Sequence, residues 1–267
     1  MPDATPACSS LTELITVVVS GVTVIDTSTF KVAGQISTGV GRHEIVVSGD
    51  NRFAFISNRD SGTVSIVDVH ELQKIKDLEV GPSPVSLALS ELSKAIYAVS
   101  EGDGSVAVID TQGKVLTRIK AKPGSRLVRF APGDRYGFVL NTNESTVSVF
   151  DARTGTLFGD TGGQLDDAAD AAGIYPDSRS NRGGSEPEGI DLTHARGFTL
   201  AAVALERASG IALVDVSNPA TPTVIAMADL FPQIGPETVK FFRRGSRLFV
   251  ASANEVSGTV SILEVVF

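Results

Sequence analysis

The feature that most constrains the fold is a strand-like segment that recurs six times along the chain. Its copies read GVTVIDT, GTVSIVDV, GSVAVIDT, STVSVFDA, GIALVDV and GTVSILEV, with acidic positions at Asp26, Asp68, Asp110, Asp151, Asp215 and Glu264. Successive copies are separated by 42, 42, 41, 64 and 49 residues. A period of about 40 residues, built from short alternating β-rich runs, is typical of a β-propeller in which each repeat forms one four-stranded sheet.

The repeats divide into strands in the same way. In the second repeat, HEIVVSGD, RFAFISN, TVSIVDV and KIKDLEV are predicted to run from the innermost strand to the outermost, and PVSLALSE, AIYAVSE, SVAVIDT and KVLTRIK follow the same order in the third. The pattern predicts an all-β chain with one domain over residues 1–267, a single β-propeller of six blades of four antiparallel strands. The first repeat begins at its second strand and the last ends at its third, so Pro2 to Glu13 are a candidate for a missing strand.

A long insertion interrupts the period between the fourth and fifth repeats. It covers residues 157–187, is rich in Gly, Asp, Ala and Ser, and ends within the charged stretch YPDSRSNRGGSEPE, whose last residue is Glu188. The segment Asp166 to Ala172 has a weak tendency to form one helical turn, because its aspartates disfavour a helix interior. An insertion of this length in a compact repeat protein is expected to be either functional or disordered.

Composition excludes several classes of function. The formal net charge of −8 and the pI near 4.9 argue against a nucleic-acid partner. No apolar run approaches the roughly 20 residues that a membrane-spanning helix needs. Cys8 is the one cysteine, so no disulfide forms within the chain. The chain also lacks a P-loop, a dinucleotide-binding fingerprint and a nucleophile elbow.

Four glutamates repeat with a fixed spacing in the last two repeats. Glu188 begins an innermost strand and Glu206 follows the next strand 18 residues later, and Glu237 and Glu255 have the same spacing. Because antiparallel neighbours bring these two positions to one end of the sheet, the four carboxylates are expected to meet at one mouth of the central channel. Clustered carboxylates suit a hard cation, and the sequence therefore predicts a Ca²⁺ site at this mouth.

Arginines near these glutamates have two interpretations. Arg126, Arg179, Arg182 and Arg207 are predicted to bind a small anionic ligand, because guanidinium groups recognise phosphate and carboxylate. The segment Asp177-Ser178-Arg179-Ser180-Asn181-Arg182 would then lie over the mouth as a lid. The alternative is a solvated channel mouth in which arginines and glutamates form ordinary ion pairs.

Two family resemblances add to this interpretation. Residues Leu14 to Asp160, with NRDSGTVSIVD and EGDGSVAVIDT, resemble the YVTN-type β-propeller repeat. The second half, with DSRSNRGGSEPEGI, ALERASGIALVDVSNPATPTVIAMA and GPETVKFFRRGSRLFVASANEVSGTVSILEV, resembles the choice-of-anchor I family. That family comprises secreted, periplasmic or cell-surface propellers described as alkaline-phosphatase-like or surface-glycoprotein-like. The resemblance implies such a location, although this chain carries no signal-peptide pattern.

Three functions follow from these observations. We favour a non-catalytic binding or scaffold propeller that recognises a protein or a small anionic ligand, with Ca²⁺ at the mouth. The resemblance also implies a metal-dependent phosphoesterase, in which a metal held by carboxylates activates water while arginines bind the phosphate. A lactonase-like hydrolase occurs on the same repeat type, but no loop feature supports it.

Overall fold

The computed structural model describes residues 14–15, 21–41, 44–181 and 183–267. Their strands form six separate antiparallel sheets in chain order. The first sheet contains β1 (Leu14–Ile15), β2 (Gly21–Asp26) and β3 (Lys31–Ser37). The second contains β4 (Ile45–Val47), β5 (Phe53–Asn58), β6 (Thr63–Asp68) and β7 (Gln73–Glu79). The third contains β8 (Pro84–Ser90), β9 (Ala95–Ser100), β10 (Ser105–Asp110) and β11 (Val115–Lys120).

The remaining sheets follow the same order. The fourth contains β12 (Ser125–Phe130), β13 (Tyr136–Asn141), β14 (Thr146–Asp151) and β15 (Leu157–Asp160). The fifth contains β16 (Pro187–Ala195), β17 (Phe198–Leu205), β18 (Gly210–Asp215) and β19 (Thr223–Asp229). The sixth contains β20 (Pro236–Arg244), β21 (Arg247–Asn254) and β22 (Thr259–Val265). This all-β architecture confirms the predicted β-propeller class and the predicted strand order within the repeats.

Each sheet packs face to face against the next. Phe55 and Ile66 of the second sheet share a core with Ile96 and Ile109 of the third, and similar apolar clusters join each later pair of sheets. All six residues of β6 are therefore buried. The recurring GTVSIVD-type segment is apolar on both faces because it lies between two neighbouring sheets.

The terminal sheets differ from the inner ones. Both contain three strands among the described residues: the first lacks an innermost strand and the sixth lacks an outermost one. Val260 and Ile262 of β22 are exposed, whereas the equivalent residues of β6 are buried. The suggestion that Pro2 to Glu13 supply a missing strand falls outside the described residues, and the number of blades in the ring stays a prediction.

The insertion is more ordered than its composition indicates. Residues 157–160 of the predicted range form β15, and Pro187 begins β16. Between these strands lies the helix α1 (Gln164–Ala171), which buries Leu165 and Ala169 against the fourth and fifth sheets. This burial stabilises a helix that the aspartates alone disfavour. A short 3-10 turn, Asp177–Arg179, then leads towards the mouth.

Candidate cation site at the mouth of the sheets

We use the word mouth for the end of the sheets at which the innermost strands begin and the second strands end. Two backbone positions in the repeat direct side chains into it, and the first is a β-bulge near the start of the innermost strand. In β8, Pro84 pairs with Ser100 and Ser86 pairs with Val99, so the intervening residue is unpaired. The bulge recurs in β12, β16 and β20. Its extra residues are Val85, Arg126, Glu188 and Glu237. Because a bulge re-aims the side chain of its extra residue, it turns all four towards the same opening.

The second position is the residue that directly follows the second strand of each sheet. It is occupied by Arg59, Glu101, Thr142, Glu206 and Glu255. In three sheets a buried asparagine ends the second strand and holds the turn into the third: Asn141, for example, donates hydrogen bonds to Thr146 Oγ1 at 3.0 Å and to Ser148 Oγ at 2.8 Å. Asn58 and Asn254 make the same pair of bonds. The mouth is therefore formed by side chains from two repeated backbone positions, and the asparagine hydrogen bonds hold the backbone beside the second position in place.

Glu188 is the most enclosed carboxylate of this mouth. Its side chain is 4% exposed and forms an ion pair with Arg126. Burial raises the pKa of the Glu188 carboxyl to about 7, even though the Arg126 guanidinium acts in the opposite direction. The negative charges of Glu237, Glu206 and Glu101 add to this rise in pKa. The site therefore holds more negative charge than its arginines balance.

Glu237 and Glu255 form a carboxyl pair on the sixth sheet. Burial and a hydrogen bond to Glu255 raise the pKa of Glu237, and the charge of Glu206 raises it further. The Arg126 guanidinium acts on the pKa of Glu237 in the opposite direction, but burial and the neighbouring carboxyl groups outweigh it. The surroundings of Glu237 therefore disfavour its negative charge, which a bound cation would balance.

Glu186 joins the site although it was not among the predicted metal ligands. One carboxylate oxygen from each of Glu186, Glu188 and Glu206 lies within 4.8 Å of the other two. Glu186 has φ of 52°, a left-handed conformation that the equivalent positions give to Ser83, with φ of 53°, and to the glycines Gly124 and Gly235. A glutamate is strained at such a position. The sequence signal that could have identified Glu186 is the segment Glu186-Pro187-Glu188, in which two carboxylates flank a proline.

The predicted anion-binding arginines are paired with these glutamates. Arg207 Nε donates to Glu186 Oε2 at 2.9 Å, and its Nη1 lies 2.8 Å from Glu206 Oε1. Arg179 forms an ion pair with Glu186, which ties the proposed lid to the mouth. Arg182 lies outside the described residues. In the structure, Arg126, Arg179 and Arg207 thus form ion pairs with glutamates of the mouth, as in the alternative interpretation of the sequence.

A cavity of about 520 Å³ lies inside the mouth. It is lined by Glu44, Arg59, Val85, Glu101, Arg126, Leu127, Glu188 and Glu237. A second cavity of about 550 Å³ adjoins it, since Arg126 and Glu237 line both. Asn254, Glu255 and Thr259 also border the second cavity. Glu44 and Glu101 are neutralised locally by Arg129 at 3.3 Å and by Arg59 at 3.1 Å. The excess negative charge is therefore concentrated on the fifth and sixth sheets.

The fold and this mouth define the chain as a β-propeller with an acidic opening. The sequence profile of the choice-of-anchor I domain matches residues 145–219, which confirms the resemblance of the second half. The profile of the cytochrome D1 heme domain matches residues 9–127. No curated protein sequence is significantly similar to the chain.

Solved structures show the same architecture. A functionally unknown protein from Desulfotomaculum acetoxidans DSM 771 superposes with a TM-score of 0.67 at 16% identity, over 92% of this chain and 76% of that one. Kuenenia stuttgartiensis hydrazine synthase superposes with a TM-score of 0.51 at 18% identity, over 92% of this chain and 90% of the other. At these identities the likeness concerns the fold alone.

The described residues do not fit the heme that the cytochrome D1 profile implies. His70 lies in the turn between β6 and β7, and His194 lies near the end of β16, both at the ends of their strands away from the mouth. The His194 ring is held by Pro132 O at 3.1 Å and Thr199 Oγ1 at 3.0 Å. Neither described histidine lines the mouth, and His43 lies outside the described residues. The mouth presents carboxylates, which suit hard cations rather than heme iron.

Proposed function

We propose that this β-propeller is a binding module that holds a divalent cation, Ca²⁺, at its acidic mouth. The observation that carries the proposal is the hydrogen-bonded carboxyl pair of Glu237 and Glu255, together with the raised pKa of Glu188 to about 7. Glu188 is enclosed, whereas Glu237 is half-buried and Glu255 is exposed, and both features indicate negative charge that a cation would balance. A bound cation would lower the repulsion between the carboxylates and favour the ionised form of Glu188 and Glu237.

The spacing of the oxygens suits calcium. Ca²⁺ binds carboxylate oxygens at 2.3–2.6 Å, so ligands on opposite sides of the ion are separated by about 5 Å. The oxygens of Glu186, Glu188 and Glu206 lie within 4.8 Å of one another. Glu237 and Glu255 would supply the remaining charge, with water completing the coordination.

The arginines favour binding over phosphoester hydrolysis. A phosphatase needs guanidinium groups that are free to hold the substrate phosphate. Arg126, Arg179 and Arg207 each form an ion pair with a glutamate of the mouth. Their arrangement supports a role in limiting the repulsion between the carboxylates.

The setting of the protein follows from the family resemblance. The choice-of-anchor I match suggests association with the cell surface, and we infer that the module acts outside the cytoplasm. Extracellular fluids contain calcium at concentrations that suit weak carboxylate sites. Within the described residues, no helix combines the length and the apolar character needed to cross a membrane.

Isothermal titration of Ca²⁺ into the EDTA-treated chain at pH 7.5 tests this function. We expect a dissociation constant of about 10⁻⁴–10⁻³ M, as in extracellular calcium modules. Glu237→Gln and Glu255→Gln should each weaken binding at least tenfold. Glu91→Gln is the matched control, because Glu91 lies at the opposite end of the sheets and pairs with Lys94 at 2.8 Å.

Two results would overturn the proposal. Absence of binding by the wild-type chain, or equal binding by Glu237→Gln and Glu91→Gln, would remove the calcium site. Metal-dependent turnover of a chromogenic phosphomonoester that Glu188→Gln abolishes would establish the phosphoesterase instead of the binding module.

A further inference from the structure

Three exposed apolar side chains lie beside the acidic mouth. Phe231 is 79% exposed, Val256 is 59% exposed and Ile234 is 39% exposed. Phe231 and Ile234 lie on the connection from β19 to β20, and Val256 lies in the turn from β21 to β22. We call these three residues the apolar rim. A group of exposed apolar side chains bordered by polar residues is typical of a contact surface for a partner.

Hydrogen bonds hold the two loops of the apolar rim together. Ile234 N donates to Ser257 Oγ at 3.2 Å, and Glu255 N donates to Gly235 O at 2.7 Å. A Cβ atom at Gly235 would lie 2.6 Å from Val256 Cγ2, so the loops are already in close contact. The rim is therefore a fixed surface, and binding to it would require little ordering of the backbone.

The apolar rim is continuous with the carboxyl pair of the mouth. Val256 directly follows Glu255, and Glu237 is two residues beyond Gly235. Glu237 and Glu255 also border the cavity of about 550 Å³ that Arg126 lines on another side. A ligand on this surface would meet apolar side chains at one end and uncompensated negative charge at the other.

We propose that the mouth and the apolar rim together dock a polypeptide segment that carries a lysine or arginine next to an apolar residue. Charge complementarity identifies the partner: the basic side chain would enter beside Glu237 and Glu255, and its apolar neighbour would cover Phe231 and Val256. An anionic membrane is disfavoured by these carboxylates and by the net charge of −8. The inference rests on the proposed cation site, because the basic side chain and Ca²⁺ would compete for the same carboxyl pair.

Fluorescence anisotropy with labelled hexapeptides tests this docking. The probes contain a central lysine flanked by leucine, phenylalanine or valine, and their partners contain norleucine in place of the lysine. We expect binding of at least one lysine peptide at pH 7.5 in EDTA, at least tenfold tighter than its norleucine counterpart, and weaker binding when Ca²⁺ is added.

Substitutions separate the two contributions to this binding. Phe231→Ser should weaken the peptide at least fivefold and leave Ca²⁺ binding by calorimetry unchanged, whereas Glu255→Gln should weaken both. The control is Phe198→Ser, since Phe198 is 45% exposed at the opposite end of the sheets. If no lysine peptide binds better than its norleucine partner, or if Phe231→Ser binds like Phe198→Ser, the docking proposal is wrong. Retained Ca²⁺ binding in that case would leave the proposed function intact.

Discussion

Glu188 and Glu206 on the fifth sheet occupy the same backbone positions as Glu237 and Glu255 on the sixth, yet the two pairs have different electrostatic surroundings. The first pair contacts Arg126 and Arg207. The second pair is joined by a hydrogen bond between its own carboxyl groups. The same two backbone positions thus carry carboxylates whose negative charge is balanced by arginines in the fifth sheet, and carboxylates whose charge is less well balanced in the sixth.

The neighbouring sheets explain this difference. Arg126 is the bulge residue of β12 in the fourth sheet, and it reaches Glu188 on the fifth sheet. Arg207 follows Glu206 directly and pairs with both Glu206 and Glu186. The positions that correspond to these two arginines are not basic for the sixth sheet. The bulge residue of the preceding sheet is Glu188, and the residue that follows Glu255 is Val256. The second pair should therefore contribute most of the net negative charge that a cation held near Glu186, Glu188 and Glu206 would balance.

The largest expected effect is the loss of the arginine that compensates the first pair. Arg126→Met would leave the enclosed Glu188 carboxylate without this partner, and we expect the free energy of unfolding at pH 9.5, where protonation of Glu188 offers little relief, to fall by about 3 kcal/mol. Urea denaturation in EDTA measures this change. Arg129→Met is the matched control, because Arg129 and Glu44 form a more exposed pair at 3.3 Å, and its cost should be below about 1 kcal/mol. Equal losses in the two variants would contradict the proposed difference.

A smaller effect should appear in the pH dependence of stability. Burial raises the pKa of Glu188 from 4.5 to about 7, so the folded chain binds this proton more tightly than the unfolded chain. The resulting stabilisation is complete below about pH 4.5 and is lost as the pH rises through 7. Between pH 5.5 and pH 8, Glu188 should account for a loss of about 2 kcal/mol. Denaturation of Glu188→Gln should lack this component, and an unchanged pH profile would show that Glu188 titrates normally.

The smallest effect concerns the second pair. Glu237→Gln removes one of two like charges without leaving an arginine unpaired, so the variant should be more stable at pH 8 by up to about 1 kcal/mol. Thermal denaturation in EDTA and in saturating Ca²⁺ measures it. The gain should disappear in Ca²⁺, because the wild-type chain would then have its repulsion balanced. A variant that is less stable than the wild type in EDTA would indicate that the pair is not repulsive.

Much of the fold could be predicted from local sequence. The GTVSIVD-type segments fixed the strand order because their alternation and turn residues are short-range signals. The α1 helix was underestimated, since Leu165 and Ala169 gain their stability from sheets distant in the chain. The three strands that each terminal sheet has among the described residues also match the sequence pattern of the first and last repeats.

The site was less accessible to sequence reasoning. The 18-residue spacing identified Glu188, Glu206, Glu237 and Glu255 as neighbours, since it depends only on one hairpin in each sheet. Spacing gave no information on which arginine contacts which glutamate, because Arg126 is 62 residues from Glu188. Glu186 was missed as a site member for a similar reason: its left-handed conformation and its two arginine partners depend on the packed loop.

The sequence by itself determined the repeat, the alternating strands and the two positions in each hairpin that carry the carboxylates. Those properties arise from interactions between residues close together in the chain. Only the tertiary structure decided which carboxylates are balanced, because that depends on the side chains that the next sheet brings near, and electrostatic interactions act across space rather than along the sequence. The same two positions therefore hold carboxylates paired with arginines in the fifth sheet and two neighbouring carboxyl groups in the sixth.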